Sequence, residues 1–190
     1  MIRSFIALEL KDNETIERIE TFSSRLKQNQ PKLKLVHPEN LHMTVKFLGN
    51  IPESLAPKIF AILKEEIDFK ILRGEKHRYI LKGVGQFNKF SVLWIKLIGD
   101  INLLQEIKTK IENLLYERLK IDLDKRQQFK PHLTIGRLRK ERINYKNFDV
   151  FKKIINDNKT TEFGEFTIDQ IKLKRSELTP RGPIYTDMEF

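Results

Sequence analysis

One four-residue pattern constrains this chain more than any other feature. It occurs twice, as His42-Met43-Thr44-Val45 and as His132-Leu133-Thr134-Ile135. Each copy sits in a run that alternates apolar and polar positions, with Met43, Val45 and Phe47 in the first and Leu133 and Ile135 in the second. Side chains two apart on a strand point the same way. The alternation therefore predicts two half-buried strands whose apolar side faces a core and whose His and Thr project together from the other side. Only four His occur in the 190 residues, and two of them share this context 90 positions apart. Strands of this kind lying side by side would present two imidazoles and two hydroxyls to one cleft.

Those groups suggest a chemistry. Neutral imidazole accepts a proton and imidazolium donates one near neutral pH. A pair held in opposite protonation states acts as general base and general acid across one reacting centre. Thr adds a compact hydroxyl donor for an anionic oxygen. The set suits transfer at phosphorus: one His activates water, the other protonates the leaving oxygen, and the two Thr hold non-bridging oxygens. The chain has no Cys and neither motif carries an acidic ligand, so the pattern calls for no metal and no cofactor. A lone His-x-Thr-x fits any strand with one polar face, and it is the duplication that argues for a site.

With 39% hydrophobic residues, the chain can build a sizeable core as one domain or two closely packed lobes. A formal charge of +10 favours polyanionic partners, nucleic acid above all. No apolar run approaches the roughly 20 residues that span a bilayer. Met1 to Leu10 lacks the layout of a secretory signal, and the absence of Cys fits a cytoplasmic protein.

Residues 2 to 10 read as a first strand. Asp12 or Asn13 then caps a helix striped by Ile16, Ile19, Phe22 and Leu26 and ended by Gln30-Pro31. Leu33 to Val36 reads as a short strand, followed by the first motif strand, which Gly49 closes. Pro52 opens a second helix with Leu55, Ile59, Ile62, Leu63 and Ile67 on its apolar side. Strands are expected near 69–72, 79–84 and 92–98, and Asp100 caps a third helix striped by Ile101, Leu104, Ile107, Ile111 and Leu114. A basic connection, 120–130, leads to the second motif strand. A short helix near 147–156 and strands near 162–173 and 184–190 complete the chain. Each half thus contains sheet, two helices and one motif strand.

Residues 38–49, containing Pro38, Asn40, His42, Thr44 and Gly49, and residues 129–137, containing Pro131, His132, Thr134 and Arg137, closely resemble the two signature blocks of the two-histidine phosphoesterase superfamily. Within it they are most similar to the RNA 2′,3′-cyclic phosphodiesterases, formerly described as 2′-5′ RNA ligases. Arg3 to Ala7 resembles that family's opening strand. Ser176 to Pro180 with Gly182 to Tyr185 resembles its closing hairpin. Gly85-Gln86-Phe87 with Val92-Leu93-Trp94 resembles its central segment. The chain departs at Ser91, where relatives often carry Arg, and at Leu35, where they often carry an aromatic residue.

The resemblance implies an α+β fold of two pseudo-symmetric lobes, with antiparallel sheets lining a central cleft and helices outside, in a single bilobal domain over 1–190. It also implies a monomer that hydrolyses the 2′,3′-cyclic phosphate end of RNA, tRNA fragments included, to a 2′-phosphomonoester. His132 would be the base and His42 the acid, although the sequence alone leaves these roles interchangeable. Thr44 and Thr134 would bind phosphoryl oxygens. Reverse 2′-5′ joining is chemically allowed. Rival readings keep the four residues but take 2′-5′ oligonucleotides or an ADP-ribose cyclic phosphate, or make the chain a basic module that binds RNA ends without chemistry.

Three further residues are candidates for substrate contact. Lys46 lies two positions beyond Thr44, so strict alternation puts it on the same face, where it would meet phosphate or solvent. Arg137 would point away by strict alternation, but the resemblance places an arginine there near substrate, and its guanidinium suits a bidentate phosphate contact. Phe5 would stack a terminal base or join the core. Trp94 reads as core, His37 and His77 as surface or loop, and Thr179 to Tyr185 as a structural turn near the cleft.

Overall fold

The computed structural model describes residues 1–125, 128–180 and 182–190; positions 126 and 127 of the basic connection and position 181 of the closing turn lie outside the described residues. The elements run β1 (Ile2–Glu9), α1 (Asn13–Asn29), β2 (Lys34–Leu35), β3 (His42–Ile51), α2 (Ala56–Ile62), β4 (His77–Phe87), β5 (Val92–Ile98), α3 (Ile101–Leu119), β6 (His132–Arg137), α4 (Phe148–Asp157), β7 (Glu162–Ile168), β8 (Lys172–Thr179) and β9 (Gly182–Asp187). This is the expected α+β class. Asp12 starts α1 by accepting the Thr15 N–H (2.8 Å), and Asp100 starts α3 by accepting that of Leu103 (3.1 Å). Each side chain satisfies a donor that the first helical turn leaves unpaired.

The strands form one antiparallel, half-barrel sheet in the order β7-β4-β5-β6-β3-β1-β8-β9, with β2 also beside β6. The two sheets expected from the resemblance are thus halves of one, joined where Met43 of β3 pairs with Leu133 of β6. The order is nearly palindromic about that seam. On one side β1-α1-β3 forms strand-helix-strand, and on the other β5-α3-β6 does the same. Their helices cross over: α1 packs on β6 and β7, whereas α3 packs on β3. One continuous core results, holding Ile6, Leu8, Met43 and Val45 together with Ile95, Leu133 and Ile135. Each such buried aliphatic side chain contributes about 1.5–3 kcal/mol.

Three expectations for elements give way. Residues 69–72 are not a strand, because α2 continues into a π-helical stretch, Leu63–Leu72. Ile67 and Leu72, five apart and both fully buried, fit that wider winding, which Arg73 ends in a left-handed conformation at φ 54°. The single strand expected at 162–173 is two. β7 pairs with β4 in one half, and after a break at 169–171 β8 pairs with β1 in the other. Gly49 does not close β3, which runs on to Ile51 with Gly49 at φ 69° inside it.

Both motif strands carry a β-bulge at the fourth residue of the motif. On β3, Ala7 pairs with Thr44 and Ile6 with Lys46, leaving Val45 extra; on β6, Trp94 pairs with Thr134 and Leu93 with Gly136, leaving Ile135 extra. An extra residue reverses the alternation beyond it. Lys46 is therefore turned to the helix side, where it is 3% exposed. Its ammonium reaches both Glu112 carboxylate oxygens on α3 (3.0 Å each) and the Asp122 carbonyl (2.8 Å). Burial pushes the Glu112 carboxyl upward, but hydrogen bonds from the Asp124 N–H, Lys46 and Lys108 outweigh it and hold the group below the usual carboxylate range. The expectation that Lys46 contacts phosphate is corrected: it is a buried structural cation. Lys46→Ala should lower unfolding free energy by about 3 kcal/mol in urea titration, because it strands part of a buried charge. A weaker substrate KM at unchanged stability would contradict this placement.

Candidate active site

The sheet places the paired motifs at its centre. Met43 and Leu133, both buried, face the core from the β3–β6 pair. Extending that antiparallel register by one residue sets His42 across from Thr134 and Thr44 across from His132, all four on the opposite face. The two His thus occupy one diagonal of a rectangle and the two Thr the other. Diagonal neighbours in an antiparallel pair lie about 7–8 Å apart. A tetrahedral group above the centre would have an imidazole on each of two opposite sides and a hydroxyl on each of the others.

Both rings are oriented alike. His42 donates Nδ1–H to the Asn40 carbonyl (2.6 Å), and His132 donates Nδ1–H to the Lys130 carbonyl (2.5 Å). A carbonyl oxygen only accepts, so each Nδ1 carries the proton, and a neutral ring then has its lone pair at Nε2. The Asn40 carbonyl has a particular origin. β2 pairs with β6 as Lys34–Arg137 and Leu35–Gly136, and β3 rejoins the same edge at Met43–Leu133. Residues 37–41 between them form an excursion that carries a 3₁₀ turn, Pro38–Asn40, and delivers the carbonyl to His42. Beside it β2 packs closely on Gly136, where a Cβ would lie 3.3 Å from Leu33 Cδ1 and 3.4 Å from the Lys34 carbonyl oxygen.

Aromatic rings flank both imidazoles. Phe5 and Tyr185 lie 4.9 and 5.4 Å from the His42 ring centre. Phe87 and Trp94 lie 5.1 and 6.1 Å from that of His132. Phe5 is 4% exposed beneath His42 and Tyr185, so it supports the imidazole and is not open to stack a base, correcting that expectation. Trp94 is not core: it is half-buried on the cleft side as the register partner of Thr134, and Gly85 makes room for its indole, which a Cβ there would meet at 2.2 Å. His77 opens β4 half-buried and is not a loop residue, whereas His37 is exposed on the excursion.

The bulges reposition two more side chains. Beyond Val45, Phe47 turns to the cleft side and is 54% exposed. Beyond Ile135, Arg137 turns the same way, and its charge is felt at both His42 and Tyr185. Alternation alone sends Phe47 to the core and Arg137 away from the cleft. Lys96, the partner of His132, escapes a reading of the sequence; it becomes legible only once β5 is registered against β6.

The residues 4–186 match the family model described as the AKAP7 2′5′ RNA ligase-like domain. The chain belongs to this family. A relative from Methanothermobacter thermautotrophicus, named RNA 2′,3′-cyclic phosphodiesterase, is 32% identical over 190 residues, covering 99% of this chain and 97% of its own. One of the same name from Methanocaldococcus jannaschii is 35% identical over 192 residues, covering 97% and 96%. The crystal structure of TT0787 of Thermus thermophilus superposes with a TM-score of 0.71 at 26% identity, covering 98% of this chain and 95% of that one. That of E. coli LigT in apo form gives 0.70 at 19% identity, covering 99% and 95%, and shares the fold. In this member of the 2′5′ RNA ligase-like family, the two motifs occupy the adjoining central strands.

Burial is the largest influence on His42. It pushes the imidazole down to about 4, with Lys174 and Arg137 lowering it further and the Asn40 carbonyl and Glu9 opposing them. At neutral pH the ring is uncharged, and Nε2 accepts from the Thr44 hydroxyl at 3.1 Å. The sign for stability follows. An unfolded His titrates near 6.5, so the folded state binds fewer protons between pH 6.5 and 4, and stability falls as pH drops through that window. Ring-nitrogen NMR of the protein alone should find His42 as the Nδ1–H tautomer at pH 7 with a midpoint near 4. A midpoint near 6.5 would mean that the ring is not desolvated.

Proposed function

We propose that this chain hydrolyses the 2′,3′-cyclic phosphate at the end of an RNA to a 2′-phosphomonoester, with residues 1–190 acting as one bilobal unit. The observation that carries the reading is the crossed arrangement of two imidazoles and two hydroxyls. In-line displacement at phosphorus needs a base behind the attacking oxygen and an acid beside the leaving one, and a His–His diagonal supplies both. The relatives' shared name supports the same substrate.

His132 Nε2 takes a proton from water as the water oxygen bonds to phosphorus. The bond from phosphorus to O3′ breaks, and His42 Nε2–H protonates O3′ to give the free hydroxyl. Thr44 and Thr134 donate to the non-bridging oxygens along the other diagonal, where charge grows. Arg137 neutralises the phosphate from the strand end. Glu9 lies across from His42, where it opposes Lys174 without outweighing it, and Lys96 lies across from His132. A carboxylate favours imidazolium, and an ammonium favours imidazole.

With its pKa lowered to about 4, His42 acts as the acid only if the substrate anion raises it. A phosphate offsets Lys174 and Arg137 and pairs with the imidazolium, so the required direction is upward. Saturating 3′-nucleotide should therefore raise the His42 midpoint in an NMR titration. An unmoved midpoint would exchange the two roles and make His42 the base.

The same displacement with a 5′-hydroxyl in place of water, O3′ again leaving, gives a 2′-5′ linkage, although water outcompetes it. No helix among the described residues is long and apolar enough to cross a membrane. We take the chain to act as a cytoplasmic monomer, with tRNA fragments among its substrates. The decisive assay offers a short RNA with a 2′,3′-cyclic phosphate end, in excess chelator, and identifies the position of the product phosphate. A 2′-phosphate is expected. His42→Ala and His132→Ala should each lower kcat by about 10²–10⁴ with unchanged circular dichroism, and Thr44→Val or Thr134→Val by about 10²–10³. Turnover near wild type in either folded His variant would defeat the assignment.

A further inference from the structure

We propose that the groove beside the excursion binds the body of the RNA strand upstream of its cyclic phosphate end, with Lys34 and Arg142 gripping the phosphates of the preceding nucleotides. This rests on the phosphodiesterase reading and adds to it a path for the polymer. The groove has a volume of about 600 Å³ and runs from Arg137 and Tyr185 to the end of α1. It adjoins the cleft at Tyr185, whose ring packs against that of His42.

Charge, construction and shape all suit a single-stranded polyanion. Lys27, Lys32, Lys34 and Arg142 line the groove beyond Arg137, and all four are exposed. Glu20 is the one acidic side chain among its described lining residues. Lys34 is fixed at the mouth, because its backbone pairs with Arg137 on β6. Arg142 ends the 3₁₀ turn Lys140–Arg142 beyond the same strand. The two walls are bolted together by Gln30, which is fully buried at the end of α1. Its amide donates to the Asn144 carbonyl (2.9 Å) and accepts the Asn144 N–H (2.8 Å). The two cations are thus carried by elements whose spacing is set, and the groove is a built feature of the fold.

The chemistry of the substrate supplies the direction. A 2′,3′-cyclic phosphate exists only at a 3′ end, so the rest of the strand leaves the terminal nucleoside through its 5′ oxygen. Once the cyclic phosphate sits over the two His, an upstream strand needs a cationic exit from the cleft. A mononucleotide would not reach Lys34 and Arg142, whereas an oligonucleotide would.

The test compares 2′,3′-cyclic AMP with a pentanucleotide ending in a 2′,3′-cyclic phosphate, on the wild type and on the Lys34→Gln/Arg142→Gln double variant. Wild-type kcat/KM should be at least tenfold higher for the pentanucleotide at low salt. The double variant should keep the mononucleotide rate and lose most of the gain. Its salt dependence on the pentanucleotide should be shallower by about 1.4 in the log–log slope, the value for two lost phosphate contacts on a single strand. No gain with length in the wild type, or a gain that survives in the variant, would overturn the proposal. So would equal losses on both substrates. Should the wild type turn over neither substrate, the phosphodiesterase reading fails by itself. The groove is then judged by fluorescence anisotropy with a 3′-phosphorylated pentanucleotide, whose binding must weaken about tenfold in the variant for the groove to stand. Both substitutions are on exposed side chains, and a thermal melt verifies that the variant folds.

Discussion

Everything at the centre of this protein depends on one strand contact, the pairing of Met43 with Leu133. Burying those two side chains is a core event, driven by the removal of apolar surface from water. Its register fixes the opposite face as well, since a shift of one residue would send His and Thr inward and methionine and leucine outward. The polar constellation is therefore held by apolar packing beneath it. The seam also joins the two halves of the sheet, so the same contact that unites the core assembles the cleft.

The two halves support their imidazoles by similar means but are not equivalent. In each, a backbone carbonyl two residues before the His fixes the tautomer, and two aromatic rings limit the tilt of the imidazole. The charges differ. Around His42, Lys174 is buried and shared between Glu9 and Asp187, and Lys172 bridges Asp187 and Glu189. Across from His132 stands Lys96, which is exposed. A scaffold of near-twofold form thus holds two chemically alike groups among unlike charges.

The polar face of each motif is legible in the sequence because strand alternation is strict over four residues. It stops being strict at the fifth. The bulges at Val45 and Ile135 respond to pairing with β1 and β5, partners that lie far away in sequence, so no local pattern announces them. Alternation misplaces Lys46 for that reason, and Phe47 and Arg137 come to the cleft against the pattern. Trp94 reads as core because tryptophan is large and apolar; only the pairing of Gly85 with Trp94 reveals the space kept for it on the cleft side. Helix starts at Asp12 and Asp100 are legible because capping is a local interaction. The π-helical continuation to Leu72 is not, since the short stretch Phe69-Lys70-Ile71-Leu72 fits strand and helix alike.

The crossing of α1 and α3 over the seam has a consequence for how the chain reaches this state. The helix that follows β1 covers strands made much later, and the helix that follows β5 covers a strand made earlier. At the seam, α1 of the first half packs on β6 of the second, and α3 of the second packs on β3 of the first. Contacts of this span close large loops, which slows folding relative to a protein of local hairpins and helices. A ribosome-bound N-terminal half would hold a complete His-x-Thr-x motif but lack α3, the helix that packs on its strand. The two motif strands thus acquire their crossing helices only when the two halves of the chain meet.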